Sequence, residues 1–228
     1  IIFSSSATVY KELKTKNGES RGCLETDEIG DCSNPYGTSK YLIEQVLLDL
    51  SKFAGFKVMN LRYFNPIGAH ESGFIGEDPN GLPNNLLPYV MKVSTGEFEF
   101  VRVFGNDYET IDGTGVRDYI DVCDLIDGHL KAYEKISKKS FPQVEKRLRE
   151  GFFETYNLGT GKGVSVLEII EAVKKTTGKE IPYKILDRRA GDLAEVYCNP
   201  EKALKELSWK TKISLEESIK NMWKFYNK

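Results

Sequence analysis

Residues 34–40 read Asn-Pro-Tyr-Gly-Thr-Ser-Lys, and this stretch opens the segment that decides the fold. Ser33 or Asn34 is a typical helix N-cap, and Pro35 is favoured in a first turn, so a helix is predicted that continues to the stop signal at Gly55. Apolar residues recur at helical spacing between these signals. Apolar segments at residues 1–5 and 58–64 predict strands on either side. Strand, connection, helix and strand in this order are typical of a parallel α/β sheet.

The rest of the chain continues the alternation of strands and helices. We expect helices over residues 86–93, 125–136 and 215–225, with Asp124 as the cap of the second, and strands over residues 98–104, 155–158 and 182–186. Ser165 and Glu168 form the pattern of a capping box, which predicts a further helix start. Residues 11–33 and the highly charged residues 137–150 are expected to be surface loops.

The composition of the 228-residue chain bounds the function classes. Hydrophobic residues make up 40%, enough for a core in one or two domains. The net charge of -2 gives no basic footprint for nucleic acid, and no apolar run is long enough to span a bilayer. Four scattered cysteines and two histidines do not suggest a metal site. Free thiols in a reducing cytoplasm are expected instead.

Tyr36 and Lys40 stand four residues apart and therefore share one face of the predicted helix. A lysine ammonium beside a phenol stabilises the phenolate, which allows a tyrosine to act as a base. The run of residues 4–6, three serines at the end of the first strand, can supply a hydroxyl that holds an alcohol oxygen. Such a trio suits removal of a proton from a hydroxyl while a hydride leaves the same carbon. A packed ring and a solvated amine are the alternative interpretation of the Tyr-x-x-x-Lys spacing.

Arginines and amides in Gly- and Asp-rich loops are candidate ligands for phosphate and sugar oxygens. Guanidinium forks match phosphate bidentately, and amides donate and accept hydrogen bonds at once. Surface ion pairs and turn residues are the plainer alternatives. The candidates are Arg117, Arg188, Arg189, Asn65, Asn84 and Asn85. Gly-Thr-Gly-Lys-Gly at 159–163 lacks phosphate-loop spacing and is interpreted as a tight turn.

Eight blocks of sequence, taken together and in order, resemble the UDP-glucose 4-epimerase family of the extended short-chain dehydrogenases/reductases. Each block alone is weakly specific, but the ordered set covers nearly the whole chain. The blocks are Ser-Ser-Ser-Ala-Thr-Val-Tyr (4–10), Asn-Pro-Tyr-Gly-Thr-Ser-Lys (34–40), Leu-Arg-Tyr-Phe-Asn-Pro-Ile-Gly-Ala-His (61–70), Pro-Asn-Asn-Leu-Leu-Pro-Tyr-Val (83–90), Phe-Gly-Asn-Asp-Tyr (104–108), Asp-Gly-Thr-Gly-Val-Arg-Asp-Tyr-Ile (112–120), Tyr-Asn-Leu-Gly-Thr-Gly (156–161) and Arg-Arg-Ala-Gly-Asp (188–192).

The resemblance implies a role for individual residues. Tyr36 would take the proton of the sugar 4-hydroxyl, Lys40 would assist it and bind the nicotinamide ribose, and Ser6 would bind the 4-oxygen. Arginines would hold the diphosphate, and Asp192 would hold the uridine ribose. The implied cofactor-binding residues are Ser4, Tyr36, Lys40 and Phe64, and the implied substrate-binding residues are Thr8, Phe64, Asn65, Asn85, Arg117, Arg189, Asp192 and Val196.

The resemblance also implies the reaction: NAD-dependent interconversion of UDP-galactose and UDP-glucose through a 4-keto intermediate. The enzyme would be an isomerase of galactose metabolism, cytoplasmic, and a homodimer packed through the helix that begins near Tyr36. A UDP-hexose is the implied partner, with neither nucleic acid nor membrane. Val196 stands where the family varies between a bulky tyrosine and a small residue. The small side chain predicts that UDP-GalNAc and UDP-GlcNAc are substrates too.

The implied fold is α/β, the C-terminal half of a Rossmann-type doubly wound parallel sheet with a smaller α/β substrate-binding domain. Residues 1–66 would belong to the NAD-binding domain and 67–228 mainly to the UDP-sugar domain, with 116–136 packing back on the first. The glycine-rich turn that seats the NAD pyrophosphate does not occur in this sequence. We therefore expect roughly 100 residues to precede residue 1, and this chain alone to be inactive.

Two other interpretations stay open from the sequence. One is a non-catalytic nucleotide-sugar-binding protein that lacks the cofactor half. The other is a related dehydratase, which needs acid and base carboxylates beside the serine. Ala7 and Thr8 occupy those places here, and neither side chain can perform that chemistry, which favours epimerisation.

Overall fold

The computed structural model describes residues 1–11, 21–138 and 151–227. The helices in these residues are α1 (Pro35–Ala54), α2 (Leu86–Ser94), α3 (Val122–Lys138), α4 (Val166–Thr177), α5 (Glu201–Leu207) and α6 (Leu215–Tyr226). The strands are β1 (Ile2–Ser6), β2 (Lys57–Tyr63), β3 (Asn65–Ile67), β4 (Val101–Phe104), β5 (Val116–Arg117), β6 (Tyr119–Asp121), β7 (Phe152–Leu158), β8 (Val164–Ser165), β9 (Tyr183–Leu186) and β10 (Glu195–Val196). A short 3-10 turn, Ala7–Val9, follows β1.

The chain divides into two compact units, each built from three separate segments. Unit 1 comprises Ile1–Phe64, Leu125–Gly161 and Tyr197–Lys210. Unit 2 comprises Asn65–Asp124, Lys162–Val196 and Thr211–Lys228. The predicted domain boundary at residues 66 and 67 stays a prediction.

Unit 1 is built on a parallel sheet in the order β1-β2-β7. Successive strand residues point to opposite faces of a sheet. Arg62 on β2 pairs with Glu44 on α1, whereas the next residue, Tyr63, contacts His129 on α3. Helices therefore cover both faces, and the predicted doubly wound α/β fold is confirmed.

Helix α1 begins and ends where the sequence predicts. The Asn34 side chain accepts a hydrogen bond from the Gly37 amide at 2.8 Å, Pro35 occupies the first turn, and Gly55 ends the helix in the left-handed conformation with φ of 69°. The face against the sheet is lined by small or polar residues and one leucine. Most of the apolar residues on α1 are instead exposed, namely Leu42, Ile43, Val46 and Phe53.

Unit 2 has a separate apolar core between α2, α4 and α6. Buried side chains from the three helices meet there, with further residues from β4 and β6: Leu87, Val90, Met91, Ile169, Val173, Ile219, Met222, Val101 and Tyr119. The predicted capping box of α4 is confirmed, since Ser165 accepts from the Glu168 amide at 3.0 Å and Glu168 accepts from the Ser165 amide at 2.7 Å. Two parallel pairs, β3-β6 and β4-β9, and the three-stranded sheet β10-β5-β8 complete the unit.

The prediction that Asp124 caps α3 is wrong. The helix begins at Val122, and Asp121 accepts a hydrogen bond from the Cys123 amide at 2.8 Å, so Asp121 satisfies the first turn. The buried Asp124 carboxylate accepts instead from the backbone amides of Lys212 and Ile213, at 2.8 and 2.9 Å. A carboxylate near a helix start is therefore used here for a contact distant in sequence.

Other predicted boundaries differ by a few residues. Strand β4 begins at Val101 rather than residue 98, because the Phe98 amide still bonds to the Lys92 carbonyl in the turn after α2. Strand β7 begins earlier than expected, at Phe152. The charged segment continues beyond α3 into residues 139–150, which lie outside the described residues, as do residues 12–20 of the first loop. None of the four cysteines is in a disulfide, as predicted. In the described ranges, no helix combines the length and the hydropathy of a membrane span.

Candidate active site

Tyr36 and Lys40 lie on one side of α1, at the carboxyl end of strand β1. The Lys40 ammonium is 5.5 Å from the centroid of the Tyr36 ring and donates a hydrogen bond to the Ser4 carbonyl at 2.8 Å. The Tyr36 side chain is exposed, and its hydroxyl makes no hydrogen bond within the described part of the chain. An exposed phenol therefore lies beside a half-buried ammonium at the end of the strand.

The hydroxyls at the end of β1 form a second part of this group. Ser6 is buried, and its Oγ accepts hydrogen bonds from the Thr8 amide at 3.2 Å and the Thr8 hydroxyl at 2.9 Å. Ser6 retains its own O–H as a donor for a ligand oxygen. Ser4 is exposed and accepts a hydrogen bond from the Tyr63 hydroxyl at 2.6 Å.

Gly37 permits a close approach between α1 and the turn that carries Thr8. A Cβ atom at Gly37 would lie 2.8 Å from the Thr8 carbonyl oxygen and 3.3 Å from its hydroxyl. Any larger residue would therefore push the helix start away from the turn. Because Gly37 follows Tyr36 directly, this contact brings the first turn of α1 against the hydroxyl pair of Ser6 and Thr8.

Tyr63 and His129 are neighbours of this group that the sequence analysis did not identify. The Tyr63 hydroxyl forms hydrogen bonds with His129 Nε2 and with Ser4. The Tyr63 and His129 rings pack edge to face, with their centroids 5.4 Å apart. Burial raises the pKa of Tyr63, the hydrogen bond to Ser4 opposes this, and the nearby Tyr36 adds to the rise. Tyr63 was quoted within the block at residues 61–70, but its contact with a helix 66 residues later has no local signal.

A buried polar network lies beneath the hydroxyls at the end of β1, and it could not be predicted from the sequence. Arg62 forms a two-point ion pair with Glu44, with Nε–Oε1 at 3.1 Å and Nη2–Oε2 at 2.7 Å. Burial lowers the pKa of Arg62, but the hydrogen bonds and charge of Glu44 and Tyr10 outweigh it and raise the pKa overall. Phe64, predicted as a wall of the sugar pocket, is itself buried with its ring 6.5 Å from that of Tyr10.

Unit 2 holds a separate pocket with a cavity volume of about 140 Å³. Apolar and amide side chains line it together with two arginines: Leu82, Pro83, Asn84, Asn85, Leu86, Tyr89, Val101, Arg102, Phe104 and Arg189. Three candidate ligands from the sequence, Asn84, Asn85 and Arg189, thus meet at one cavity. The pocket walls Tyr89, Arg102 and Phe104 were not predicted, because their proximity depends on how α2 packs against β4.

Arg189 and Asn85 are held loosely on this surface. The Arg189 guanidinium lies over the Phe104 ring at 4.2 Å and pairs with Asp192 at 3.4 Å, with both side chains substantially exposed. Asn85 donates to the Glu77 carboxylate at 3.0 Å. Both groups can exchange these surface partners for a ligand at small cost, because exposed ion pairs contribute little.

Arg117 and Val196 are paired neighbours on adjacent strands of unit 2. They lie opposite each other where β5 and β10 run in parallel. The Arg117 guanidinium donates to the carbonyls of Val116 and Ala194, at 2.8 and 3.4 Å. Asn65 lies on β3, where its backbone N–H donates to the Asp118 carbonyl at 2.9 Å.

The predicted site residues thus fall into two groups. Unit 1 carries Ser4, Ser6, Thr8, Tyr36, Lys40 and Phe64, and unit 2 carries Asn65, Asn85, Arg117, Arg189, Asp192 and Val196. The groups differ in chemistry. The first offers hydroxyls, a phenol and an ammonium, whereas the second offers guanidinium groups, amides and a carboxylate. Their assignment to catalysis and substrate binding stays a prediction.

A Tyr-x-x-x-Lys helix packed on a doubly wound parallel sheet is typical of the short-chain dehydrogenase/reductase class, and the comparison with family models is consistent with that class. The family described as GDP-mannose 4,6 dehydratase matches residues 1–222, and the chain belongs to this family.

Curated relatives of the chain are UDP-glucose 4-epimerases, which confirms the resemblance drawn from the sequence. Identity is 47% over 226 residues with the protein of Bos taurus, 48% over 228 residues with that of Pasteurella multocida, and 49% over 231 residues with that of Bacillus subtilis. The alignments cover 99%, 100% and 99% of this chain. The chain spans 60%, 63% and 62% of the length of these relatives.

Solved structures give the same answer for the fold. A UDP-glucose 4-epimerase from Stenotrophomonas maltophila, with bound NAD and formylated UDP-arabinopyranose, superposes with a TM-score of 0.87 at 42% identity. One from Bifidobacterium longum, in complex with NAD+ and UDP, gives 0.86 at 45% identity. Each superposition covers 99% of this chain, and 62% and 63% of the respective structure.

Proposed function

We propose that the full-length protein containing this chain is a NAD-dependent UDP-glucose 4-epimerase that interconverts UDP-galactose and UDP-glucose. The observation that carries the proposal is the position of the Lys40 ammonium, beside the Tyr36 ring and on the Ser4 carbonyl, at the end of the strand that bears Ser6. Relatives at 47–49% identity with the same described activity support the proposal.

The residues of unit 1 would move the proton. The Tyr36 phenolate, on an exposed side chain, would take the proton of the sugar 4-hydroxyl and later return it. The positive charge of Lys40 stabilises the phenolate before the proton is taken and after it is returned. The Ser6 hydroxyl donates to the sugar 4-oxygen, while Thr8 fixes the Ser6 oxygen through two hydrogen bonds.

The donor set of unit 1 also fits the nicotinamide ribose of NAD. Lys40 gives one hydrogen bond to Ser4 and keeps two donors, which suit vicinal ribose hydroxyls. NAD, when bound, accepts the hydride of the sugar C4 and gives it back to the opposite face. We assign Ser4, Tyr36, Lys40 and Phe64 to this site, and residues 1–66 to the NAD-binding domain.

The residues of unit 2 would hold the UDP end of the substrate, with residues 67–228 mainly forming the UDP-sugar domain and 116–136 packing back on the NAD-binding domain. The pocket beside Arg189 and Asn85 combines apolar walls with polar groups, as nucleotide sites do. Arg117 and Arg189 supply positive charge for the diphosphate, and Asp192 can accept from ribose hydroxyls. We assign Asn65 and Asn85 to sugar and diphosphate oxygens, and Thr8, Phe64 and Val196 to contacts with the sugar.

The residues that follow Ser6 argue against a dehydratase, even though the matched family is described as a dehydratase. Removal of the C5 proton and loss of the 6-hydroxyl need a carboxyl acid and base beside the serine. The turn after Ser6 carries Ala7 and Thr8 instead, and the Thr8 hydroxyl is already bonded to Ser6. Epimerisation needs no carboxyl acid or base at these two positions.

We also propose a cytoplasmic homodimer that acts in galactose metabolism. The exposed apolar residues of α1, Leu42, Val46 and Phe53, provide a surface that a second copy would cover. Four cysteines without a disulfide suit a reducing compartment.

The test is an assay of the full-length protein with UDP-galactose, followed by proton NMR of the sugar signals. We expect UDP-glucose to accumulate to an equilibrium mixture, and UDP-glucose to give the same mixture in reverse. A 4-keto-6-deoxy product would establish a dehydratase instead. Binding of UDP without any turnover would establish a nucleotide-sugar-binding protein.

A further inference from the structure

The ion pair between Glu44 and Arg62 is almost completely removed from water. The two side chains are 2% and 4% exposed, and both oxygens of the carboxylate bond to the guanidinium. Removing two charges from water is costly, and an apolar pair of equal size would often stabilise a fold as well or better. The position of the pair therefore matters more than its contribution to stability.

Glu44 continues the side of α1 that carries the candidate catalytic residues. Tyr36, Lys40 and Glu44 follow one another at intervals of four, and each step rotates by only about 40° around the helix. Tyr36 is exposed, Lys40 is half-buried, and Glu44 is buried, so this side turns gradually into the sheet. On this side of α1, Tyr36 is therefore the exposed residue and Glu44 the buried one.

The network fixes this buried end to the two strands that bear the other groups of the site. The Ser5 hydroxyl donates to Glu44 Oε1, and Ser5 lies between Ser4 and Ser6 on β1. Arg62 belongs to β2 and immediately precedes Tyr63. One carboxylate on α1 therefore contacts both strands directly.

The Arg62 guanidinium also forms hydrogen bonds with groups other than Glu44. Arg62 Nη1 donates to the Tyr10 hydroxyl at 3.0 Å and to the Glu25 carbonyl at 3.3 Å. Tyr10 in turn donates to Asn157 Oδ1 on β7 at 2.6 Å. Arg62 therefore has little freedom to follow a displaced helix.

We propose that the pair formed by Glu44 and Arg62, with Ser5, is a positioning device that sets Tyr36 and Lys40 on α1 against the hydroxyls of β1. This inference rests on the proposed epimerase function. Glu44 touches no reacting atom in this scheme. It fixes the translation and rotation of α1 along its axis, and with them the place of the phenol.

The kinetic test uses Glu44→Gln in the full-length protein, because glutamine keeps the shape and one acceptor but loses the charge. We expect kcat to fall by about 10- to 100-fold with KM within about threefold of wild type, since a displacement near 1 Å costs about that much. The matched control is Glu206→Gln. Glu206 also accepts from a cation and a phenol, Lys135 and Tyr156, but on the opposite face of the sheet. Its kcat should stay at the wild-type value.

A second readout does not depend on any enzymatic activity. In Glu44→Gln, the amides of the first two turns of α1 should exchange with deuterium faster than in wild type, whereas Glu206→Gln should leave them unchanged. If wild type shows no turnover, the proposed function fails, but faster exchange in this variant still supports the positioning role.

Ser5→Ala is a milder second variant, which keeps the proposal testable if Glu44→Gln does not fold. It removes one hydrogen bond to Glu44 and leaves the ion pair in place. We expect kcat to fall by about threefold to tenfold, as one modest hydrogen bond allows, with KM unchanged. Wild-type kcat and wild-type exchange in both folded variants would overturn the proposal, and so would a rise in KM without a change in kcat.

Discussion

The two groups of candidate site residues differ in how firmly the rest of the chain holds them. In unit 1, Tyr36 and Lys40 project from a helix that is bound through Glu44 to a buried arginine, Arg62. In unit 2, Arg189 lies on an exposed loop and has a surface ion pair with Asp192. Rigid support suits a group that must meet a reacting atom within a fraction of an ångström. Exposed, exchangeable partners suit a group that grips a charged ligand and releases it.

Removal of the Tyr36 hydroxyl should have the largest effect and would test the chemical half of this comparison. In the full-length protein, Tyr36→Phe should lower kcat by about 10³-fold, within the range for loss of a general base, and leave KM nearly unchanged. The rate of UDP-glucose formation from UDP-galactose measures this. Tyr133→Phe, which alters an exposed phenol on α3, should behave as wild type. A Tyr36→Phe enzyme with near-normal kcat would remove the phenol from the mechanism.

The size of residue 196 should decide whether N-acetylated sugars are accepted. We expect wild type to convert UDP-GalNAc as well as UDP-galactose, and Val196→Tyr to lose about 10- to 100-fold of the UDP-GalNAc rate alone, since overpacking a site costs roughly 1–3 kcal/mol. Parallel assays with both substrates measure the change, and Val196→Ala should retain both activities. Conversion of UDP-galactose by wild type without any UDP-GalNAc turnover would contradict this specificity.

Neighbouring arginines offer a matched test of the binding half. Arg189→Ala should raise KM for UDP-galactose about tenfold with little change in kcat, because a charge-assisted hydrogen bond contributes about 1.5–3 kcal/mol. Arg188→Ala is the control, since that guanidinium is occupied by Asp107 at 2.7 Å and by the Tyr108 ring at 4.0 Å. Equal effects of the two substitutions would show that general surface charge, rather than Arg189, holds the ligand.

The smallest expected effect concerns Asp112, whose carboxylate orders a loop of unit 2. Burial raises the pKa of Asp112, but hydrogen bonds from Ser165 and Thr114 outweigh it and hold the pKa below its usual range. A lowered pKa in the folded state stabilises the protein above the unfolded-state pKa, and this stability is lost as pH falls through the folded value. Asp112→Asn should lower stability by about 1 kcal/mol at neutral pH, and less in acid.

Urea unfolding of the wild type and of Asp112→Asn at a series of pH values measures this difference. The gap between the two proteins should close as the pH falls below about 4, near the unfolded-state pKa of an aspartate. Asp187→Asn, at an exposed position, should leave the curve unchanged. A gap that stays constant with pH would mean that the Asp112 charge has no part in ordering the loop.

Local signals explain why much of the fold could be predicted. Asn34, Pro35 and Gly55 specify α1 within their own segment, and Ser165 with Glu168 does the same for α4. Asp124 shows the limit of such reasoning, since a buried carboxylate near a helix start served a loop 88 residues away.

The candidate site was predictable where residues act through their neighbours in sequence, and not where they act through tertiary contacts. Tyr36 and Lys40 are four residues apart, so their shared face follows from helix geometry. Glu44 and Arg62 are separated by the rest of α1, a turn and most of β2, and neither carries a signal of its partner. The position of Phe104 in the pocket wall likewise could not be predicted from the sequence, because it depends on how β4 packs against α2.

We propose that unit 1 performs the chemistry and unit 2 holds the nucleotide. Calorimetric titration of UDP into the full-length Tyr36→Phe and Arg189→Ala proteins separates these two roles. We expect Tyr36→Phe to bind UDP with wild-type affinity and Arg189→Ala to bind about tenfold more weakly. Weakened UDP binding in Tyr36→Phe, with unchanged binding in Arg189→Ala, would contradict this division.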